Sequence, residues 1–120
     1  MRIGELSSLT GVPTRLLRYY EEQGLLSARR ETNGYREYAD DAVDRVSQLR
    51  GLIEAGIPTA VIRDMIPCLC DPAIVDAPVI ARELAETLDQ RREQLERRIS
   101  CLSRNRDAIS AYLSRATVSP

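Results

Sequence analysis

Between Val79 and Arg115 the chain carries neither Gly nor Pro, and this uninterrupted stretch predicts one helix of about 55 Å. Leu88, Leu95, Leu102 and Ile109 recur every seven residues. Arg92, Ile99, Arg106 and Leu113 interleave with them at the same period. That is a coiled-coil seam with leucine-type residues at one core position and alternating Arg and aliphatic residues at the other. A single helix cannot bury such a stripe. It must fold back on the rest of the chain or pair with a second copy. The remainder is small and its pattern closes a core of its own, which favours a homodimer joined through Leu88, Leu95, Ile99, Leu102, Ile109 and Leu113. Arginines inside a seam weaken it but set register by meeting acids on the partner, with Glu83, Glu93 and Glu96 as candidates. The pattern does not choose between parallel and antiparallel pairing.

The preceding residues read as short helices. Ile3 to Thr10 places Ile3, Leu6 and Leu9 three apart, and Gly11 stands where a helix-ending glycine belongs. Pro13 can open a second helix, because the N–H it lacks would be unpaired there anyway. That helix runs to about Gln23, with Val12, Leu16, Leu17 and Tyr20 facing a core, Gly24 ending it, and Leu25 and Leu26 packing beneath. Two short helices around a Gly-containing turn predict a helix–turn–helix. A hairpin follows. Thr32-Asn33-Gly34 separates Arg29-Arg30-Glu31 from Tyr35-Arg36-Glu37-Tyr38, and Asn-Gly supplies the two positive φ angles of a tight turn. A hairpin directly after a helix–turn–helix is a wing. Asp40 and Asp41 are expected to cap a third helix with apolar positions Val43, Val46, Leu49, Leu52 and Ile53. Gly56 stops it. Pro58 restarts a fourth, which buries Val61, Ile62, Met65 and Ile66 and ends at Pro67. Cys68 to Pro78 then reads as a linker. The expected division is a winged domain over residues 1–75 and a dimerisation segment over 76–120.

The chain is 43% hydrophobic and 29% charged over 120 residues, which suits a folded rather than a disordered chain. No apolar run approaches a membrane span, and no signal-peptide core precedes the first helix. Three cysteines make no disulfide framework, so a reducing cytoplasm is the expected compartment. No catalytic activity and no cofactor are expected. There is no histidine, no Gly-rich phosphate loop and no paired nucleophile and base. The formal net charge is −1, and residues 1–76 carry nine Arg against twelve acids. Whole-domain charge therefore argues against nucleic acid, and the case for it rests on local placement.

Local placement is uneven. Four of the five tyrosines fall between residues 19 and 38, among Arg15, Arg18, Arg29, Arg30 and Arg36. Arg15, Arg18 and Tyr19 lie within about one helical turn, and alternation puts Arg36 and Tyr38 on one face of a strand. Guanidinium and phenol groups both donate to phosphate oxygens. Tyr20 and Tyr35 are expected in the core.

Ile3-Gly4-Glu5-Leu6, Thr10-Gly11-Val12, Leu17-Arg18-Tyr19-Tyr20, Gly24-Leu25-Leu26 and Gly34-Tyr35-Arg36-Glu37-Tyr38 together resemble the MerR family. Leu49 to Ile66 around Ala55-Gly56-Ile57 is similar to that family's second wing. The resemblance implies a mostly α fold: a winged helix–turn–helix with a small hairpin wing and a long helix pairing as an antiparallel coiled coil. It implies a homodimer on palindromic double-stranded promoter DNA, which bends and untwists the duplex so that RNA polymerase, reached only indirectly, can use misspaced promoter elements. Carried over by position, Arg18, Tyr19, Arg36 and Tyr38 grip the backbone, Thr14 and Arg15 face base edges, and Arg50 and Arg63 fall near the second wing. Pro13 and Pro58 stand where the family usually has a capping serine, and Ala28 replaces a frequent proline.

The resemblance also places Cys68 and Cys70 near the family's sensing region; a buried structural thiol plus a loop thiol is the preferred reading, and a thiol sensor at Cys68 or Cys70 is the alternative. Metal binding is not expected without histidine or further thiols after the long helix. Two rival functions remain at this level. One is an excisionase-like architectural DNA bender, against which the heptad seam speaks. The other is an adaptor that no longer binds DNA, which the acidic balance keeps open.

Overall fold

The computed structural model describes residues 1–70 and 78–120, which form two compact units, Met1–Ala77 and Pro78–Pro120. In the first unit, α1 (Ile3–Thr10) ends at Gly11, whose φ of 72° allows its N–H to bond the Ser7 carbonyl. The Ser7 hydroxyl donates to the Val12 carbonyl at 2.6 Å, and the Thr10 hydroxyl accepts the Val12 N–H at 3.3 Å. These bonds fix the turn into α2 (Thr14–Glu22). No side chain caps α2. The Pro13 carbonyl accepts the Leu16 and Leu17 N–H groups instead, so the helix starts without a serine.

Leu6, Leu17, Tyr20, Leu25 and Leu26 are buried as the spacing predicts, each buried leucine contributing roughly 1.5–3 kcal/mol. Leu16 and Leu9 depart from the expected faces and stand exposed. Consecutive Leu16 and Leu17 lie about 100° apart around the helix, and Leu17 takes the inward direction.

The hairpin forms, but by a different turn. β1 (Arg29–Arg30) and β2 (Arg36–Glu37) pair antiparallel, Arg29 opposite Glu37 and Arg30 opposite Arg36. The Glu31 carbonyl accepts the Gly34 N–H and the Glu31 N–H reaches the Tyr35 carbonyl. Only Gly34 in this loop has positive φ, at 84°. Thr32-Asn33-Gly34 is therefore a three-residue loop, an ordinary turn closed by one left-handed glycine, and not the two-residue mirror-image turn that Asn-Gly suggested. Two-residue strands hold little by themselves. Tyr38 extends the pairing by giving its N–H to the Met1 carbonyl at 2.6 Å, so the N-terminal segment supports the wing.

In α3 (Ala42–Glu54) Val46 and Leu49 are buried, while Val43, Leu52 and Ile53 are half-buried. Asp41 takes the cap position in a helical conformation and bonds no N–H through its side chain, so the expected carboxylate cap is not made. Gly56, at φ 85°, turns the chain into α4 (Thr59–Cys70), which buries Ile62. Pro67 does not end α4. It lies inside the helix, three residues before its end, where its missing N–H costs the one intrahelical bond to the Arg63 carbonyl and leaves only a short final turn to follow. Cys68 is thus helical rather than part of a linker, and the rest of that expected linker, 71–77, lies outside the described residues.

The second unit is α5 (Arg82–Arg115), 34 residues long and about 51 Å. It buries no residue of its own. Among the described residues no helix is long and apolar enough to cross a membrane.

Candidate nucleic-acid interface

Leu17 and Tyr20 anchor α2 inward, and this rotation decides what the helix presents outward. Arg15, Arg18 and Tyr19 are exposed and Thr14 is half-buried, so the first turns offer two guanidiniums and a phenol on an accessible face. Arg36, half-buried on β2, reaches back to α2 and pairs with Glu21 at 3.2 Å. The wing and the helix are therefore joined by an ion pair that sequence reasoning did not foresee.

Two tyrosines exchange their expected places. Tyr38 is 1% exposed and belongs to the core, whereas Tyr35 is 56% exposed. The alternation argument failed because β2 ends at Glu37 and Tyr38 follows the pairing with Met1. The Tyr38 hydroxyl is buried without a hydrogen-bond partner. Burial pushes its phenol pKa up; Glu21 reinforces the shift, and the nearby Arg36 and Arg18 charges oppose it. Tyr35 carries the Arg2 guanidinium over its ring, 4.2 Å from the centroid. Arg2, Arg18, Arg30 and Arg36 line one open hollow of about 600 Å³ together with Ile3, Gly4, Gly34 and Tyr35. Arg2 was not singled out from the sequence, and Tyr35 was expected in the core rather than in this hollow. The signal available was the arginine two residues from the start, but nothing local pairs it with a residue so far along the chain.

Glu37 on the opposite side of β2 is held below the usual carboxylate range, first by hydrogen bonding with Glu31, then by the Met1 amino group. Arg50 and Arg63 are not gathered with this cluster. Arg50 lies exposed on α3 and approaches Glu54 at 3.8 Å, one turn on. Arg63 closes the far end of α2 instead: its Nε donates to the Gln23 carbonyl at 2.6 Å and its terminal nitrogen to Gln23 Oε1 at 3.2 Å.

On α5 Leu88 is half-buried, and Leu95, Ile99, Leu102, Ile109 and Leu113 are exposed. From Leu95 onward the stripe is exposed. Cys68 and Cys101 are both exposed free thiols, and Cys68 lies in α4, so Cys68 is neither the buried structural thiol nor the loop thiol of the preferred reading. The Cys70 side chain lies outside what the structure describes.

A hairpin set directly after paired helices, beside a recognition-type helix bearing outward arginines, defines a winged helix–turn–helix protein. The sequence profile of the MerR HTH family regulatory proteins matches residues 1–68. The chain belongs to the MerR family. It is 48% identical over 63 residues to the nodulation protein NolA of Bradyrhizobium elkanii, covering 52% of this chain and 29% of NolA. It is 30% identical over 112 residues to the HTH-type transcriptional regulator CueR of Salmonella typhi, covering 92% of this chain and 78% of CueR. The fold also matches HiNmlR, a MerR family regulator lacking the sensor domain and solved bound to promoter DNA, with a TM-score of 0.58 at 22% identity, over 94% of this chain and 86% of that one. The chain thus spans under a third of NolA and most of the shorter relatives.

Proposed function

We propose that the chain is a sequence-specific regulator of transcription that binds palindromic double-stranded promoter DNA as a homodimer and distorts it in response to an effector or stress signal. The observation that carries this reading is the outward face of α2, with Arg15, Arg18 and Tyr19, joined to the wing through Arg36. An exposed helix of this kind fits a major groove, and a wing beside it fits the flanking backbone. Thr14 and Arg15 at the start of α2 take base edges, where a bidentate guanidinium reads guanine. Arg18, Tyr19 and Arg36 serve phosphate oxygens, whereas Tyr38 packs in the core. The bare stripe of α5 pairs two copies as an antiparallel coiled coil and fixes the distance between their recognition helices. Contact energy gathered at the two wings is then spent on bending and untwisting the duplex, and RNA polymerase responds to the altered DNA without touching the regulator. The relatives' description as transcriptional regulators and the solved promoter complex support this reading. The continuous seam favours it over an architectural bender.

A salt titration of duplex binding tests it. Arg18→Ala is expected to weaken binding on specific and unrelated duplexes alike and to lower the log–log salt slope by about one. Arg15→Ala is expected to cost about 1–3 kcal/mol on the specific site and relax base preference there. A chain that binds no duplex at low salt would sink the proposal.

A further inference from the structure

We propose that the hollow between the start of α1, the outer face of α2 and the wing is a phosphate cradle, in which Arg2, held on the Tyr35 ring, grips the DNA backbone together with Arg30. The inference rests on the DNA-binding reading and adds residues to it. Four guanidiniums, from Arg2, Arg18, Arg30 and Arg36, line the hollow, and no carboxylate does so among the described residues. Arg36 is paired with Glu21, but among the described residues no ion pair holds Arg2, Arg18 or Arg30, and like charges gathered at one surface repel one another. An anion is the complement such a surface fits.

The details favour a phosphodiester of a duplex. Arg2 lies over Tyr35 at 4.2 Å. Stacking occupies a face of the guanidinium and leaves its N–H edge free to donate, while the ring removes much of the side-chain freedom that binding would otherwise have to quench. The first turn of α1 contributes Ile3 and Gly4 to the same wall, and backbone N–H groups at a helix start favour negative charge. A Cβ at Gly4 or Gly34 would meet nothing within 4 Å, so the wall is open on both sides. The hollow is continuous with Arg18 and Arg36, which places Arg2 and Arg30 along the same run of backbone. Tyr35 acts as the positioning residue, because it touches Arg2 and holds it in the wall.

The test is fluorescence anisotropy of the full chain with a labelled duplex across a salt series, with thermal unfolding of every variant alongside. Arg2→Gln keeps the stem against Tyr35 and removes the charge. It is expected to lower the log–log salt slope by about 0.9 on specific and unrelated duplexes alike. Tyr35→Phe should bind as the unaltered chain does. Tyr35→Ala should lose affinity in a chain that keeps Arg2 and lose nothing further in a chain that already carries Arg2→Gln. An unchanged slope in Arg2→Gln, at an unchanged unfolding midpoint and with Arg18→Ala showing its own reduced slope, overturns the cradle and leaves the DNA-binding reading standing. An unaltered chain that binds no duplex overturns both.

Discussion

Arg36 on the wing and Glu21 on the last turn of α2 form an ion pair at 3.2 Å, with both side chains only partly exposed. The carboxylate holds the wing against the helix, and it also competes with phosphate for the same guanidinium. Glu21→Gln is therefore expected to strengthen binding to any duplex by about two- to fivefold, the worth of a partly exposed pair. The gain should shrink when Arg36 is already Ala, and equal gains in both backgrounds would show that the pair does not restrain Arg36.

Tyr38 combines a fully packed ring with a buried hydroxyl that has no well-formed hydrogen-bond partner and only the nearby Arg36 guanidinium to offset its burial. An unsatisfied buried hydroxyl costs about 1–3 kcal/mol. Tyr38→Phe is therefore expected to stabilise the folded chain by about 1 kcal/mol in urea unfolding and to leave DNA binding unchanged. A loss of affinity on specific and unrelated duplexes alike would instead show that the hydroxyl becomes exposed to phosphate in the complex.

Arg63 separates a positioning role from a contact role. Its bonds to Gln23 close the C-terminal end of α2. Arg63→Ala should lower affinity through a loosened helix end, by about 1 kcal/mol, and leave the salt slope unchanged. A slope reduced by about one would instead mark Arg63 as a phosphate contact.

The α5 seam predicts a self-association constant that core charges destroy. Ile99→Glu removes the gain from one buried aliphatic side chain, roughly 1.5–3 kcal/mol, and adds a charge. Dimer dissociation measured by sedimentation is expected to rise by about tenfold or more, and an unchanged constant would place the interface elsewhere.

Alkaline pH supplies another check. Burial raises the pKa of both Tyr20 and Tyr38 above the ordinary value of 10.0. The unfolded chain then releases these protons first. The folded state keeps its full stability below about pH 10 and loses it as pH rises toward the raised folded values. Tyr20→Phe should flatten the decline in urea midpoint above pH 10. An equally steep decline would assign it to other groups.

The helices were legible because their signals are local. Gly11, Gly24 and Gly56 all take the left-handed angles that end a helix, and Leu6, Leu17, Val46 and Leu49 fall on buried faces by spacing alone. The misreadings fall where a distant residue decides. Tyr38 turns inward beside Met1 and Tyr35 turns outward to Arg2, and neither partner is near in sequence. The Asn-Gly turn was misassigned because the loop length depends on strand register, which Arg29–Glu37 pairing sets. Arg15, Arg18 and Arg36 were recognisable as candidates from their spacing, but their grouping with Arg2 and Arg30 required the fold.

A helix with no interior side of its own melts by mass action. With the α5 stripe exposed from Leu95 onward, the proposed pairing makes ordering of residues 82–115 bimolecular, whereas the N-terminal unit orders within one molecule. Diluting the sample should pull the first of two thermal steps downward and leave the second in place. On the proposed pairing, the same arithmetic makes paired molecules scarce when copies are few, and promoter occupancy is expected to climb with roughly the square of abundance.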